Sequence, residues 1–224
     1  MPRTIAISGA SGKTGYRIAE EVQHRGDQPR LLLQAHSKLP QSLKDADTRR
    51  LSLADAPALD AALSGVDALV IATGARPSVD LSGPMRVDAW GVQRQVESCQ
   101  RVGVKRVVLV SSLCAGRWQH SLNLFGLILV WKGVGEKALQ TSTLDWTIIR
   151  PGGLSEREDN LESEGIRYSP ADTQTSQSIP RRLVARCCLD SLDTAAASQR
   201  IIEITSSPEL PVVTMAQALR EWSR

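Results

Sequence analysis

Three glycines at three-residue spacing, Gly9, Gly12 and Gly15, follow the short apolar run Thr4-Ile5-Ala6-Ile7 and lead straight into helix-compatible sequence from Lys13 to Arg25. A strand-to-helix turn without side chains lets backbone N–H groups approach a diphosphate, and the positive end of the helix dipole then faces that anion. Ser11, Gly12, Lys13 and Thr14 are expected to offer N–H groups and a hydroxyl to a dinucleotide. The spacing is G-x-x-G-x-x-G rather than the commoner G-x-G-x-x-G, so its meaning comes from context. Thr4 to Ile7 suits a buried parallel strand; Ile18, Ala19 and Val22 share one helical face, and Gly26 stops the helix. A tight turn that binds nothing is the competing reading.

The elements that must hold such a turn alternate along the chain. Strand patterns occupy residues 30–34, 67–73, 105–112, 146–150 and 200–205, and helical patterns 54–63, 84–102, 131–142, 180–192 and 212–222. Pro84 fits the first turn of its helix and Gly103 follows its end. Strands separated by helices predict an α/β fold, a Rossmann-like doubly wound parallel sheet, in a single domain over residues 1–224. Residues 155–178 are polar, acidic and then Ser/Thr/Gln-rich, and read as a surface excursion bordering the ligand site.

Ligands of doubly wound sheets lie outside the carboxyl ends of the strands. Those ends are residues 8–15, 34–38, 72–75, 111–115 and 150–154, and small residues dominate four of the five. Thr73, Gly74 and Ala75 are expected beneath the adenosine or diphosphate, where only small side chains fit. Pro151, Gly152 and Gly153 stop a strand and would let the chain turn beside a nicotinamide amide. The second strand ends Leu33-Gln34-Ala35-His36-Ser37-Lys38, with no carboxylate before Asp45. NAD binders place an acid there for the ribose hydroxyls. Lys13, His36 and Lys38 could instead surround a 2′-phosphate, which favours cations, so NADP is preferred and NAD remains possible.

Composition narrows the function further. An apolar fraction of 42% over 224 residues supports one packed core without disulfides. A net charge of +3, with cations scattered among acids, gives no reason to expect a nucleic-acid partner. Cys99, Cys114, Cys187 and Cys188 lack zinc-type spacing, so no metal is expected, and reduced thiols point to a cytoplasmic compartment. The N-terminus has no signal-peptide core. The longest apolar run, from Leu122 to Trp131, is shorter than the about 20 residues of a transmembrane helix.

Taken together, Gly9 to Gly15, Gly65-Val66-Asp67 and Gly103-Val-Lys-Arg-Val-Val-Leu-Val-Ser-Ser112 resemble the atypical short-chain dehydrogenase/reductases of the NAD(P)H-binding type, plastid and cyanobacterial branch. So do Asn123-Leu-Phe-Gly126, Trp131-Lys132 with Glu136-Lys137, and Thr147-Ile-Ile-Arg-Pro-Gly-Gly-Leu154. The branch includes the Rossmann part of a chloroplast import-associated NADP-binding protein, and flavin and biliverdin reductase-like proteins are more distant. The resemblance covers most of residues 3–154 and implies a Rossmann fold, a bound nicotinamide dinucleotide and reductase activity, without naming a substrate. Relatives commonly carry an arginine where Gln34 falls, so one clamp is missing here.

The resemblance also implies roles. Ser111 and Ser112 end the fifth strand, where the nicotinamide ring is expected, and Lys132 matches the lysine that works with a serine and a tyrosine in ordinary members of the superfamily. The tyrosine should lie four residues earlier, but Ile128 stands there, and the only tyrosines are Tyr16 and Tyr168. Lys132, Ser111 and Ser112 therefore remain as catalytic candidates without the usual general acid. Such a site favours acceptors that are already electron-poor: small aromatic, flavin-like or quinonoid molecules. It equally suits a non-catalytic, NADP(H)-dependent scaffold or redox sensor that docks a protein partner. A nucleotide-sugar epimerase is disfavoured by the short chain and the missing tyrosine. Asp67 is expected to orient its strand, Arg150 to pair with a carboxylate, and Arg181 and Arg182 to face Glu158 or Asp159. Trp118, Trp131, Trp146 and His120 are expected as packing or pocket-rim residues.

Overall fold

The computed structural model describes residues 1–75, 81–124, 126–174 and 176–222. Phe125, part of one motif above, lies outside them. In chain order the elements are β1 (Thr4–Ser8), α1 (Lys13–His24), β2 (Gln28–Leu33), β3 (Asp47–Arg50), α2 (Ala56–Leu63) and β4 (Ala68–Ile71). A π-helical segment, Met85–Trp90, runs into α3 (Gly91–Val102); β5 (Arg106–Val110), α4 (Ile128–Gln140) and β6 (Asp145–Pro151) follow. The remainder is β7 (Gly153–Ser155), β8 (Gly165–Ser169), β9 (Ser178–Pro180), α5 (Arg181–Asp193), β10 (Arg200–Ser207) and α6 (Met215–Glu221).

The main sheet has the order β3-β2-β1-β4-β5-β6-β10-β8, with every neighbouring pair parallel except β10 and β8. β7 and β9 form a separate two-stranded parallel pair. Successive residues of a strand face opposite sides, and both sides are apolar here. Ile5 and Ile7 pack with α1, α5 and α6 through Ile18, Val22, Leu183 and Leu219. Ala6 packs with α2, α3 and α4 through Leu59, Val92, Val96 and Leu139. This is the doubly wound α/β arrangement expected from the alternation, and its crevice opens where the strand order reverses, between β1 and β4.

Five details differ from the sequence reading. β3 was not expected, because Asp47-Thr48-Arg49-Arg50 is polar and exposed at the sheet edge. The segment 155–178 is not one surface excursion: its residues Gly165–Ser169 are β8, an edge strand of the main sheet paired with β10. The helix expected over 84–102 is π-helical in its first part, and α4 begins three residues before Trp131. The apolar run from Leu122 to Trp131 is divided between a 3-10 turn, Ser121–Leu124, and α4.

Asp67 accepts the Thr4 N–H at 2.7 Å and so aligns β1 with β4, as expected. All four cysteines are buried and unbonded, and burial pushes the Cys99 and Cys187 thiols up to about 12. Among the described residues no helix is long and apolar enough to cross a membrane.

Asp60 ties α2 to α3 by accepting Arg101 Nε at 2.9 Å and Nη2 at 2.8 Å, together with the Ser98 hydroxyl. The Arg101 hydrogen bonds, then that of Ser98, hold its carboxyl at about 2. Its folded value lies below the roughly 3.9 of an unfolded aspartate, so the stabilisation is full above that value and fades as pH falls toward 2. Asp60→Asn is expected to lower the urea midpoint at neutral pH, with the gap to wild type narrowing across that acid range. A gap independent of pH would contradict this assignment.

Candidate dinucleotide site

The turn after β1 is built from backbone contacts that exclude side chains. A Cβ on Gly9, whose φ is +84°, would lie 2.7 Å from the Ala72 carbonyl oxygen. On Gly15 it would lie 2.1 Å from the Gly9 carbonyl oxygen, and on Gly12 3.1 Å from that same atom. The Gly12 N–H donates to the Gly9 carbonyl at 2.8 Å, and the Ala72 N–H donates to Ser8 at 2.9 Å, so the turn is fastened to β4. No side chain caps the N-terminus of α1. The first-turn N–H groups of a helix lack intrahelical partners, and here they face the crevice edge with no side-chain acceptor. The uncapped helix and the methyl-free cradle fit a diphosphate.

Lys132 stands on α4, which approaches the π-helical segment closely. A Cβ on Gly135 would lie 2.1 Å from the Asp88 carbonyl oxygen, and one on Gly133 would lie 2.9 Å from the Gly116 Cα. This approach sets Lys132 Nζ 2.9 Å from Asp88 Oδ1, a pair in which Asp88 is 2% exposed and Lys132 16%. Asp88 Oδ2 accepts the Ala75 N–H at 3.2 Å, connecting the pair to the end of β4. Gly74 leaves the space beside both partners open: an added Cβ would be 3.9 Å from Asp88 Oδ1 and 4.0 Å from Lys132 Nζ.

Thr73, Ser111, Asp88 and Lys132 line one small cavity, closed by Val92, Leu109 and Val110. The hydroxyl oxygens of Thr73 and Ser111 are buried and have no hydrogen-bond partner. An unsatisfied buried hydroxyl costs about 1–3 kcal/mol, so two in one polar cavity fit a site completed by a ligand or water. Ser112 is half-buried and outside this cavity lining. Pro151 accepts the Leu113 N–H at 3.0 Å, which joins the ends of β5 and β6. A Cβ on Gly152 would lie 2.3 Å from the Gln177 carbonyl oxygen, while the Gly153 N–H donates to that oxygen at 2.9 Å. These two glycines therefore admit the strand leading into β9.

At the other end of the crevice, Ser11 Oγ and Ser37 Oγ are 3.2 Å apart and link the glycine turn to the loop after β2. His36 and Lys38 are exposed on that loop. Arg50, from the unexpected β3, donates through Nη1 to the carbonyls of Gln34, Ala35 and Ser37. Lys13, grouped above with His36 and Lys38, is ion-paired with Glu156 at 3.1 Å instead. Hydrogen bonds from Lys13 and then Arg181 hold the Glu156 carboxyl below the usual range. The Thr14 hydroxyl accepts Arg181 Nη1 at 3.0 Å; Arg182 meets Glu158 at 3.1 Å, as anticipated, whereas Arg181 pairs with Glu156 at 2.9 Å rather than with Glu158 or Asp159.

Arg150 forms the expected carboxylate pair, bidentate with buried Glu136 at 2.9 and 2.7 Å, and also meets Asp172 at 3.1 Å. Burial works against its charge, and the hydrogen bonds to Glu136 together with the charges of Glu136, Asp172 and Glu203 outweigh it. Asn123 orders the loop before α4: its amide donates to Arg117 and Trp118 carbonyls and accepts the Leu129 N–H. Trp118 is exposed, Trp131 and His120 are half-buried, and Trp146 is buried. Neither tyrosine supplies the missing acid: Tyr16 is on α1, and the Tyr168 phenol is buried in β8, 3.7 Å from Cys187 Sγ. Two residues were overlooked in sequence. Asp88 had a signal, an acid on the same helical face as Val92; Arg50 had none, since its strand carries no apolar pattern.

Removing one partner of a buried ion pair leaves an uncompensated charge and costs about 3–5 kcal/mol. Lys132→Met is expected to destabilise the protein by roughly 3 kcal/mol in urea unfolding, and Asp88→Asn added to it should recover part of the loss. A double variant no more stable than Lys132→Met would remove the pair from the frame of the site.

Comparison with known proteins agrees with this geometry. The NAD(P)H-binding family model matches residues 9–195. An uncharacterized chloroplastic protein of Arabidopsis thaliana is 33% identical over 223 residues, spanning 93% of this chain and 79% of its own. Sanguinarine reductase of Eschscholzia californica is 28% identical over 246 residues, spanning 92% of this chain and 90% of its own. In three dimensions the oxidoreductase YlbE of Lactococcus lactis superposes with a TM-score of 0.81 at 20% identity, covering 97% of this chain and 95% of that one. The match over residues 9–195 runs from the glycine turn past the end of α5, and the chain belongs to the NAD(P)H-binding family.

Proposed function

We propose that this protein is an NADPH-dependent reductase acting on a flat, electron-poor acceptor of the flavin, quinone or extended-aromatic class. The observation that carries the reading is the buried, unpartnered Ser111 hydroxyl in one cavity with the Lys132–Asp88 pair. The first-turn N–H groups of α1 would hold the diphosphate, and Thr73, Gly74 and Ala75 would lie against the nucleotide. Lys132, fixed by Asp88, would donate to a ribose hydroxyl, and Ser111 would donate to or accept from the nicotinamide end or the acceptor. NADPH supplies a hydride. Without a tyrosine in reach, the acceptor must tolerate taking its proton from water or through Ser111, which suits delocalised π-systems better than simple ketones. The relative named sanguinarine reductase supports an acceptor of this kind. Four buried free thiols agree with a reducing compartment such as the cytoplasm.

A second reading keeps the nucleotide and drops the turnover. The missing acid, together with the exposed Trp118 and Leu124, would suit an NADP(H)-dependent scaffold for a protein partner.

The decisive measurement follows NADPH oxidation with flavin and quinone acceptors in wild type, Ser111→Ala and Lys132→Ala. Wild type is expected to turn over at least one acceptor, and each substitution should lower kcat/KM by about tenfold or more, or roughly 1.4 kcal/mol. Saturable NADPH binding with no turnover of any acceptor would instead support the scaffold, and nucleotide-dependent capture of a partner would then distinguish it.

A further inference from the structure

We propose that Arg50 is the specificity-determining cation of a subsite for the 2′-phosphate of the adenosine ribose, completed by Ser37 and Lys38. The inference rests on the dinucleotide reading above and adds a residue from a strand with no ligand signal in its sequence.

Position is the first ground. β3 pairs in parallel with β2, and the register sets Arg50 opposite Leu33, the last residue of β2. The carboxyl end of β2 is the part of a doubly wound sheet that meets the adenosine ribose. Ser11 and Ser37 join hydroxyls at 3.2 Å, so the loop next to Arg50 is fastened to the turn expected to carry the diphosphate.

Preorganisation is the second. Arg50 Nη1 donates to three carbonyls, those of Gln34 at 3.1 Å, Ala35 at 2.8 Å and Ser37 at 3.1 Å. The guanidinium is thus held over the turn by a single nitrogen. Its Nε and Nη2 have no hydrogen-bond partner among the described residues. A fixed guanidinium with two free donor positions matches the geometry of a phosphate.

Charge is the third. Arg50 contacts neutral carbonyls and, among the described residues, no carboxylate. The nearest acid along β3 is Asp47, at the opposite end of the strand, where it pairs with Arg30 at 2.7 Å and Arg49 at 3.2 Å. His36 and Lys38 add further cationic capacity on the same loop, and Gln34 is neutral. A carboxylate that would accept both ribose hydroxyls of NAD is lacking from this loop, whereas donors for an anion are present.

The test compares 2′,5′-ADP with 5′-AMP by calorimetry; the two differ only in the 2′-phosphate, and neither carries hydride chemistry. Wild type is expected to bind 2′,5′-ADP about 10- to 100-fold more tightly than 5′-AMP, the range of one or two charge-assisted hydrogen bonds. Arg50→Gln keeps an amide donor for the loop carbonyls but removes the charge. It should abolish most of that preference while leaving 5′-AMP affinity within about twofold; Arg50→Lys should retain part, and Arg49→Gln should retain all. Inorganic phosphate alone should not reproduce the tight binding. An unchanged preference in Arg50→Gln, or an equal loss for both ligands, would overturn the assignment, the second by reducing Arg50 to a loop support. If wild type binds 5′-AMP and NADH yet shows no preference for the 2′-phosphate, the subsite fails and the dinucleotide reading survives. If wild type binds no nucleotide at all, both fall.

Discussion

The site depends on backbone meeting backbone at the point where the sheet reverses its order. Gly15 stands so close to the Gly9 carbonyl that a methyl group could not be accommodated, and a methyl group on Gly9 would likewise run into the Ala72 carbonyl. The two contacts draw α1 onto β1 and β1 onto β4 at the same place. Their shared consequence is an uncapped helix N-terminus aimed along the crevice edge. A larger residue at either position would separate the helix from the sheet, and the amide groups would lose their common direction. α4 uses the same device at Gly133 and Gly135, which explains why Lys132 reaches Asp88 from a neighbouring helix.

Once the backbones are close, buried charges fix the remaining side chains. Lys132 and Asp88 pair beneath Gly74, while Arg150 is enclosed by Glu136, Asp172 and Glu203 at the end of β6. Glu203, fully buried, also accepts N–H groups from Asp172, Thr173 and Gln174 and so holds the turn after β8. Buried pairs of this kind add little net stability and penalise misplacement heavily. They therefore act as alignment devices: α4 and β6 can each adopt one position relative to the crevice. The two hydroxyls left without partners, on Thr73 and Ser111, face the same cavity as the Lys132–Asp88 pair.

Much of the fold was legible in the sequence because parallel strands buried on both faces read as continuous apolar runs, as in Ala68–Ile71 and Arg106–Val110. The glycine spacing announced the turn, and the family resemblance supplied Lys132. The overlooked elements share a physical cause. β3 and β8 are the two edges of the sheet, where one side of the ladder meets solvent and the apolar pattern thins or disappears. The π-helical winding of Met85–Trp90 coincides with close packing against Gly135, a tertiary contact with no local signature. Arg50 was invisible for the reason β3 was. Lys13 was grouped with the wrong loop because its partner, Glu156, lies 143 positions along the chain, beyond any local spacing rule.

The distribution of cations along the crevice carries a further consequence. At the α1 end, Lys13, Arg17, Arg181 and Arg182 are already engaged by Glu156, Glu158 and Glu20. A diphosphate arriving there meets a nearly compensated set of side chains, so its recognition must come from backbone N–H groups and the helix dipole, whose reach is about one turn. Such an end measures shape and position rather than total charge. At the β2 end, the cations face loop carbonyls and solvent instead of acids. On the proposed reading, the crevice would separate two tasks that a uniformly basic groove would merge: seating any nucleotide by geometry, and distinguishing among nucleotides by charge.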